Sequence, residues 1–257
     1  MINFQEIEGI KIAYWMNDGG FVQGRKNLVF IHGSGGDHTN WQNQYKTLAD
    51  SFNIVAVDLP GHGQSGGTGE KEVGRYVEWI RKLIEATGLN KPVLTGHSLG
   101  AAISLTFAIR HGGLLSGIIP VGGGVTMPVN PILLEGLKKD AGATVATIVK
   151  FSLAKENREK WSVPLSENLL NSNPEVTHGD LYACDKLNIT EEVAKIRLPV
   201  LVVCGADDKM TPPANSQFLK EGISGAKLAL IPGAGHFVMM ENAEAFNKAV
   251  KEFVQSL

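Results

Sequence analysis

Gly96-His97-Ser98-Leu99-Gly100 is the segment whose residue types and spacing point most directly to chemistry. It stands between a short apolar run, Pro92-Val93-Leu94-Thr95, and a helix-like stretch that starts at Ala101. G-x-S-x-G between a strand and a helix predicts an abrupt turn with the serine in a strained backbone conformation. The residues two before and two after it must then be nearly free of side chain. Such a turn lifts the hydroxyl above the sheet and aims N–H groups of the helix start at developing negative charge. A serine hydroxyl is a weak nucleophile at neutral pH; it needs a general base within hydrogen-bond reach and an acid to orient that base. Ser98 is the candidate nucleophile.

Among the histidines, His236 is the expected base. It follows small residues in Pro232-Gly233-Ala234-Gly235-His236-Phe237, just past the last apolar run, where a loop can carry its ring over the serine. His178 falls in a long helical segment, His111 ends the helix after Ser98, His38 and His62 lie in polar loops, and His32 and His97 flank glycine turns. The acid is expected at a strand end between serine and histidine. The run Val200-Leu201-Val202-Val203 leads into Gly205-Ala206-Asp207-Asp208, so one of these two aspartates is the candidate. The other suits a turn or helix cap near Pro212. His32-Gly33-Ser34-Gly35-Gly36 offers unhindered N–H groups after the first core strand, and the N–H groups of Ser34 and Leu99 are expected to converge as an oxyanion hole. Phe237, Val238 and Met239 are expected to line an apolar acyl pocket.

The elements that must position these residues alternate along the chain. A hairpin around Gly9 is followed by apolar runs at 28–31, 54–57, 93–95, 117–121, 200–203 and 228–231. Helical patterns separate them at 40–51, 72–87, 101–108 and 243–254. Short apolar strands between helices predict a mostly parallel sheet covered on both faces, and such sheets bind ligands beyond the carboxyl ends of their strands. Every chemical motif above falls at such an end. The rhythm breaks after the strand at 117–121. Residues 125–188 carry only helical patterns, at 131–139, 143–154 and 166–170, and read as a lid hinged at Pro128 and Pro131.

Composition narrows the function classes. A formal net charge of −2, with no basic run, gives no electrostatic reason for nucleic acid or an anionic membrane surface. No apolar stretch approaches the ~18 residues of a membrane span. Cys184 and Cys204 share no metal-ligand spacing and read as buried thiols, and no signal-peptide pattern opens the chain, so a cytoplasmic location is expected. Gly61-His62-Gly63-Gln64-Ser65-Gly66 matches the dinucleotide fingerprint formally, but Gly66-Gly67-Thr68-Gly69 cannot open a helix, so no cofactor is expected. No metal is expected either.

Together, His32-Gly33, the stretch 58–65, Gly96-His97-Ser98-Leu99-Gly100, the stretch 205–212 and Gly235-His236 resemble the α/β-hydrolase fold family. The likeness spans the chain outside the lid. It implies a core of residues 1–124 and 189–257, with a helical lid of 125–188. The family's G-x-x-D-x-x-x-P pattern falls on Gly205, Asp208 and Pro212, which favours Asp208 over Asp207. Serine at the elbow is unlike the epoxide hydrolases and haloalkane dehalogenases. Residues 237–242 look like carboxylesterases and monoacylglycerol lipases, whereas the family's carbon–carbon hydrolases usually carry tryptophan where Phe237 stands. The resemblance therefore implies a carboxylesterase acting on small to medium acyl esters without a cofactor, its partner a small-molecule ester. The same triad could serve carbon–carbon cleavage, perhydrolysis or acyl transfer, or persist in a ligand receptor with little turnover.

Overall fold

A computed structural model describes all 257 residues, and their strands form one eight-stranded sheet. β1 (Ile2–Ile7) and β2 (Ile10–Met16) make the hairpin expected at Gly9. After β3 (Asn27–Ile31) come α1 (Gln42–Leu48), β4 (Asn53–Val57), α2 (Val73–Thr87), β5 (Val93–His97), α3 (Leu99–His111) and β6 (Gly117–Val121). Four helices then follow without a strand: α4 (Pro131–Lys139), α5 (Ala141–Ser152), α6 (Arg158–Leu170) and α7 (Pro174–Asp185). The chain closes with β7 (Leu201–Gly205), α8 (Pro213–Gly222), β8 (Lys227–Ile231), α9 (Val238–Glu241) and α10 (Ala243–Gln255).

The strand order is β1-β2-β4-β3-β5-β6-β7-β8, antiparallel at β1/β2 and β2/β4 and parallel elsewhere. Every residue of β4, β5, β6 and β7 is buried, which is why these strands read as continuous apolar runs. The pleat sorts their side chains between two cores. Leu28 and Phe30 of β3 and Ile54 and Ala56 of β4 join α1 and α10 on one face, while Val29, Ile31, Val55 and Val57 join α2 and α3 on the other. The order reverses at β3, whose neighbours are β4 and β5, so the loops leaving β3 and β5 diverge around a crevice. Ser34 and Ser98 lie on those two loops.

The helical insertion has no core of its own. Val145, Val149, Leu165 and Leu169 join the core of one sheet face, and Ala183 and Cys184 the other. Two of its helices begin at Asn-Pro pairs: Asn130 caps the Ile132 N–H and Asn173 the Glu175 N–H, each with proline in the first turn. The sequence pattern at 166–170 catches only the end of α6, and α7 escapes it altogether, although Asn173-Pro174 is a readable start. Pro164 lies inside α6. Cys184 and Cys204 are both buried, free thiols.

Candidate active site

The elbow takes the form the sequence demands. Ser98 has φ +53° and ψ −110°, a conformation costing an L-residue roughly 1–3 kcal/mol. Its N–H donates to the Val121 carbonyl at 2.9 Å, and its carbonyl accepts the N–H groups of Ala101 and Ala102. A Cβ on Gly96 would collide with the Gly100 carbonyl, and one on Gly100 with the Ile31 carbonyl. Only glycine at both places lets α3 turn back so tightly against β3 and β5. As the first residue of α3, Leu99 has no intrahelical acceptor for its N–H. The Ser34 N–H has no acceptor within the protein either.

Of the two aspartates, Asp208 meets the histidine. Asp208 is buried, and its Oδ2 lies 2.8 Å from His236 Nδ1. The same oxygen accepts the Thr211 hydroxyl at 2.9 Å, while Oδ1 accepts the backbone N–H groups of Met210 and Thr211 at 2.8 and 2.9 Å. Asp207 is exposed and only its backbone N–H is engaged, by the Ala234 carbonyl. Burial alone would raise the Asp208 carboxyl, but the His236 charge and these donors outweigh it and hold the group below the ordinary carboxylate range. An ionised carboxylate only accepts, so His236 Nδ1 carries a hydrogen; in the neutral ring it is Nε2 that has the lone pair. Ser98 and His236 line the same cavity and are not hydrogen-bonded to each other, an open arrangement of the sort that tightens when substrate binds.

His236 is held at both ends of its backbone. Its N–H donates to the Ser152 carbonyl of the insertion at 2.6 Å. Its carbonyl lies 3.0 Å from His97 Nε2, which must therefore be the donor. The His97 ring stands 4.6 Å from the His236 ring and 4.7 Å from Phe237. Burial, then the nearby His236 charge, pushes the His97 pKa well below its ordinary value, so His97 is a neutral Nε2–H imidazole. Glu241 completes the brace: it accepts the Gly235 N–H at 3.0 Å and, from the insertion, the Ala154 N–H and Asn157 Nδ2, each at 2.9 Å.

Two cavities meet at Ser98 and His236. The larger, about 520 Å³, lies between the β7–α8 loop and the insertion, with Met127, Leu133, Ile148, Phe151 and Met210 among its walls. Lys209 is the one Lys or Arg on that wall, which bears no carboxylate. The smaller, about 50 Å³, is enclosed by Gly33, Ser34, Val145, Ser152, Leu169 and Phe237. Of the three residues expected to line an apolar pocket, only Phe237 lines either cavity. Val238 and Met239 sit on α9, whose apolar side packs into the core with Trp41 and Phe246, and they are fully buried there. Most of the larger cavity's wall comes instead from the insertion, in residues with no chemical motif to mark them.

His32, His38 and His62 are each held by buried hydrogen bonds to groups other than Ser98. His38 donates both its backbone N–H and Nδ1 to Asp58 Oδ1, at 2.7 and 2.8 Å. Asp37, His38 and Asp58 bring three potential ligand atoms within 4.8 Å of one another, but these contacts already account for His38 and Asp58. The glycine-rich loop at 61–66 opens no helix; Gln64 N–H and Asp58 hold it in place.

Residues 26–243 match the α/β-hydrolase fold family. The chain belongs to that family. A thermophilic esterase superposes on it with a TM-score of 0.85 at 31% identity, over 100% of this chain and 98% of that one. The dihydrolipoyllysine-residue acetyltransferase component of the acetoin cleaving system of Pseudomonas putida is 27% identical over 96% of this chain and 68% of its own length. The 2-hydroxy-6-oxononadienedioate/2-hydroxy-6-oxononatrienedioate hydrolase of Burkholderia vietnamiensis is 26% identical over 96% of this chain and 93% of its own. This chain is thus a hydrolase of the α/β fold, with its eight-stranded, mostly parallel sheet flanked by helices. No helix is long and apolar enough to cross a membrane.

Proposed function

We propose that this α/β-hydrolase cleaves carboxylic esters of small to medium acyl groups through an acyl-enzyme on Ser98. The observation that carries the reading is the buried Asp208–His236 pair, set so that Nε2 keeps a lone pair in the cavity that Ser98 enters. Ser98 Oγ attacks the ester carbonyl carbon while its proton passes to His236 Nε2. The carbonyl π electrons move onto oxygen, where the N–H groups of Ser34 and Leu99 meet the new charge. Losing one such donor typically costs about 2.7–4 kcal/mol of transition-state stabilisation. Collapse of the tetrahedral species breaks the bond to the alcohol, which leaves with the proton from Nε2. Water then repeats the sequence and frees the acid. Asp208 stays ionised throughout, fixing the imidazole tautomer and balancing its cationic form.

The two cavities support a division of the substrate. The cavity of about 50 Å³ beside Ser34, where one water-sized group needs roughly 10–15 Å³, leaves room for a short acyl chain of a few heavy atoms. The larger, mainly apolar space suits the leaving alcohol. A panel of p-nitrophenyl esters of increasing acyl length, run beside fluorophosphonate labelling of Ser98, tests the reading. Turnover should fall steeply beyond three or four acyl carbons, and Ser98→Ala should abolish both turnover and labelling. Near-native turnover in Ser98→Ala would refute the mechanism.

The likeness to the Burkholderia hydrolase supports a second reading, cleavage of a carbon–carbon bond on the same three residues. Product analysis with a dienoic diketo acid beside the ester panel separates the two.

A further inference from the structure

Asp180 is a lid carboxylate that the mechanism does not use, yet it holds the amide next to one of the mechanism's proposed backbone donors. It lies on α7 with no solvent exposure, among the most deeply buried acids of the chain. Its Oδ2 accepts the Gly35 N–H at 3.0 Å and faces His62 Nε2 at 2.7 Å, and its Oδ1 accepts the Tyr76 hydroxyl at 2.5 Å. His62 Nδ1 lies 3.0 Å from the Pro60 carbonyl. Carbonyl and carboxylate both only accept, so both ring nitrogens of His62 carry hydrogen and the ring is a cation. A buried carboxylate thus sits between a buried imidazolium, a phenol and one main-chain amide.

That amide belongs to the residue after Ser34. Gly35 has φ +66°, and a Cβ there would press on Thr177 of α7 at 2.8–3.0 Å. The loop therefore lies flush under α7, in a conformation that favours glycine, and its contact with the insertion is a hydrogen bond to Asp180. Fixing the Gly35 N–H fixes the Ser34–Gly35 peptide plane, and through Ser34 it limits where the preceding N–H can point. We propose that Asp180 is a positioning residue for the oxyanion loop: the lid helix α7, through this carboxylate, sets the aim of the Ser34 N–H. His62, from the glycine-rich loop, and Tyr76, from α2, in turn hold Asp180, so the loop at 58–65 gains a part in the site that its own motif does not suggest. The proposal rests on the reading of Ser34 as an oxyanion donor.

Asp180→Leu removes the acceptors at similar volume, and Asp180→Ala does so while admitting water, should the leucine variant not fold. Asp180→Asn keeps an acceptor for Gly35 and can turn its amide hydrogens to Tyr76. Three readouts apply: kcat and KM for p-nitrophenyl acetate, affinity for an alkylboronic acid whose adduct places an oxygen in the hole, and the rate of fluorophosphonate labelling of Ser98. The variants lacking the acceptor should lose roughly tenfold to a hundredfold in kcat and in labelling rate, the scale of a 1 Å misplacement. KM should stay within about threefold, boronate affinity should fall in step with kcat, and the asparagine variant should recover most of each. A folded variant without the acceptor but with unchanged kcat, or with its loss confined to KM, would overturn the proposal. So would equal losses in Asp180→Asn and Asp180→Ala. If the native protein labels but hydrolyses no ester, the esterase reading fails, and the labelling rates still decide the role of Asp180.

Discussion

Asp208→Asn is the sharpest perturbation of the proposed site, because the hydrogen bonds around the carboxylate dictate how the amide must sit. Oδ1 accepts two backbone N–H groups, from Met210 and Thr211. An asparagine therefore places its oxygen there and turns its NH₂ toward His236 Nδ1 and the Thr211 hydroxyl. That NH₂ donates, so Nδ1 must become the acceptor and the ring hydrogen moves to Nε2, facing Ser98. In this tautomer the imidazole cannot take the serine proton. Flipping the amide restores the productive tautomer but sets NH₂ against two N–H donors, at about 1–3 kcal/mol for each group left unpaired. At ~1.36 kcal/mol per decade, a total of about 2–6 kcal/mol lowers kcat by roughly thirtyfold to twenty-five-thousandfold. The assay is p-nitrophenyl acetate hydrolysis at pH 8, with Asp207→Asn as control. The control should stay within twofold of the native protein. Asp208→Asn retaining more than a third of native kcat, or Asp207→Asn losing as much, would refute the argument.

Other outcomes follow from contacts already described. Because the Asp208 carboxyl is held below its ordinary value, its contribution to stability is complete above about pH 4, its unfolded range, and is lost as pH falls through the folded value. The Tm gap between native and Asp208→Asn protein should therefore narrow as pH falls below about 4 on thermal scans. For His62, burial alone would lower the pKa, but Asp180 and the Pro60 carbonyl outweigh it and raise it. Its stabilisation is thus full below about pH 6.5 and fades as pH rises through the folded value, and His62→Asn should flatten the alkaline slope of Tm. His97→Phe keeps the ring contacts but strands the His236 carbonyl; it should cost about 1–3 kcal/mol in urea unfolding and lower kcat more than it raises KM. Leu169→Ala should widen the small cavity and move the acyl-length optimum up by two or three carbons. It should also cost about 2–5 kcal/mol of stability, and an unchanged acyl profile would contradict the assignment of that cavity.

Much of the framework was legible before any coordinates. Continuous apolar runs marked the buried parallel strands, and the two glycines flanking Ser98 encoded a turn that no other residue could make. The choice between Asp207 and Asp208 was not legible from the residues alone, because adjacent positions in a loop carry no periodicity; the Thr211 and Met210 donors that select Asp208 are a three-dimensional fact. Val238 and Met239 depart from the expected pocket for a related reason. An apolar residue after a catalytic-looking histidine fits a pocket or a core equally well, and only the direction of α9 decides. Asp180 carried no signal at all, since a single acid in an amphipathic helix normally faces water. Its burial depends on His62 and Tyr76, more than a hundred positions away along the chain.

The bond from His236 N–H to the Ser152 carbonyl has a practical corollary for anyone who would exchange the roof of this pocket. Grafting a foreign segment between β6 and β7 to accept bulkier substrates would remove a main-chain acceptor from beneath His236, along with the Ala154 N–H and Asn157 amide that meet Glu241. Redesign is therefore safest when the crossover points fall outside the short stretch from Ser152 to Asn157, keeping that hexapeptide native and varying the helices on either side.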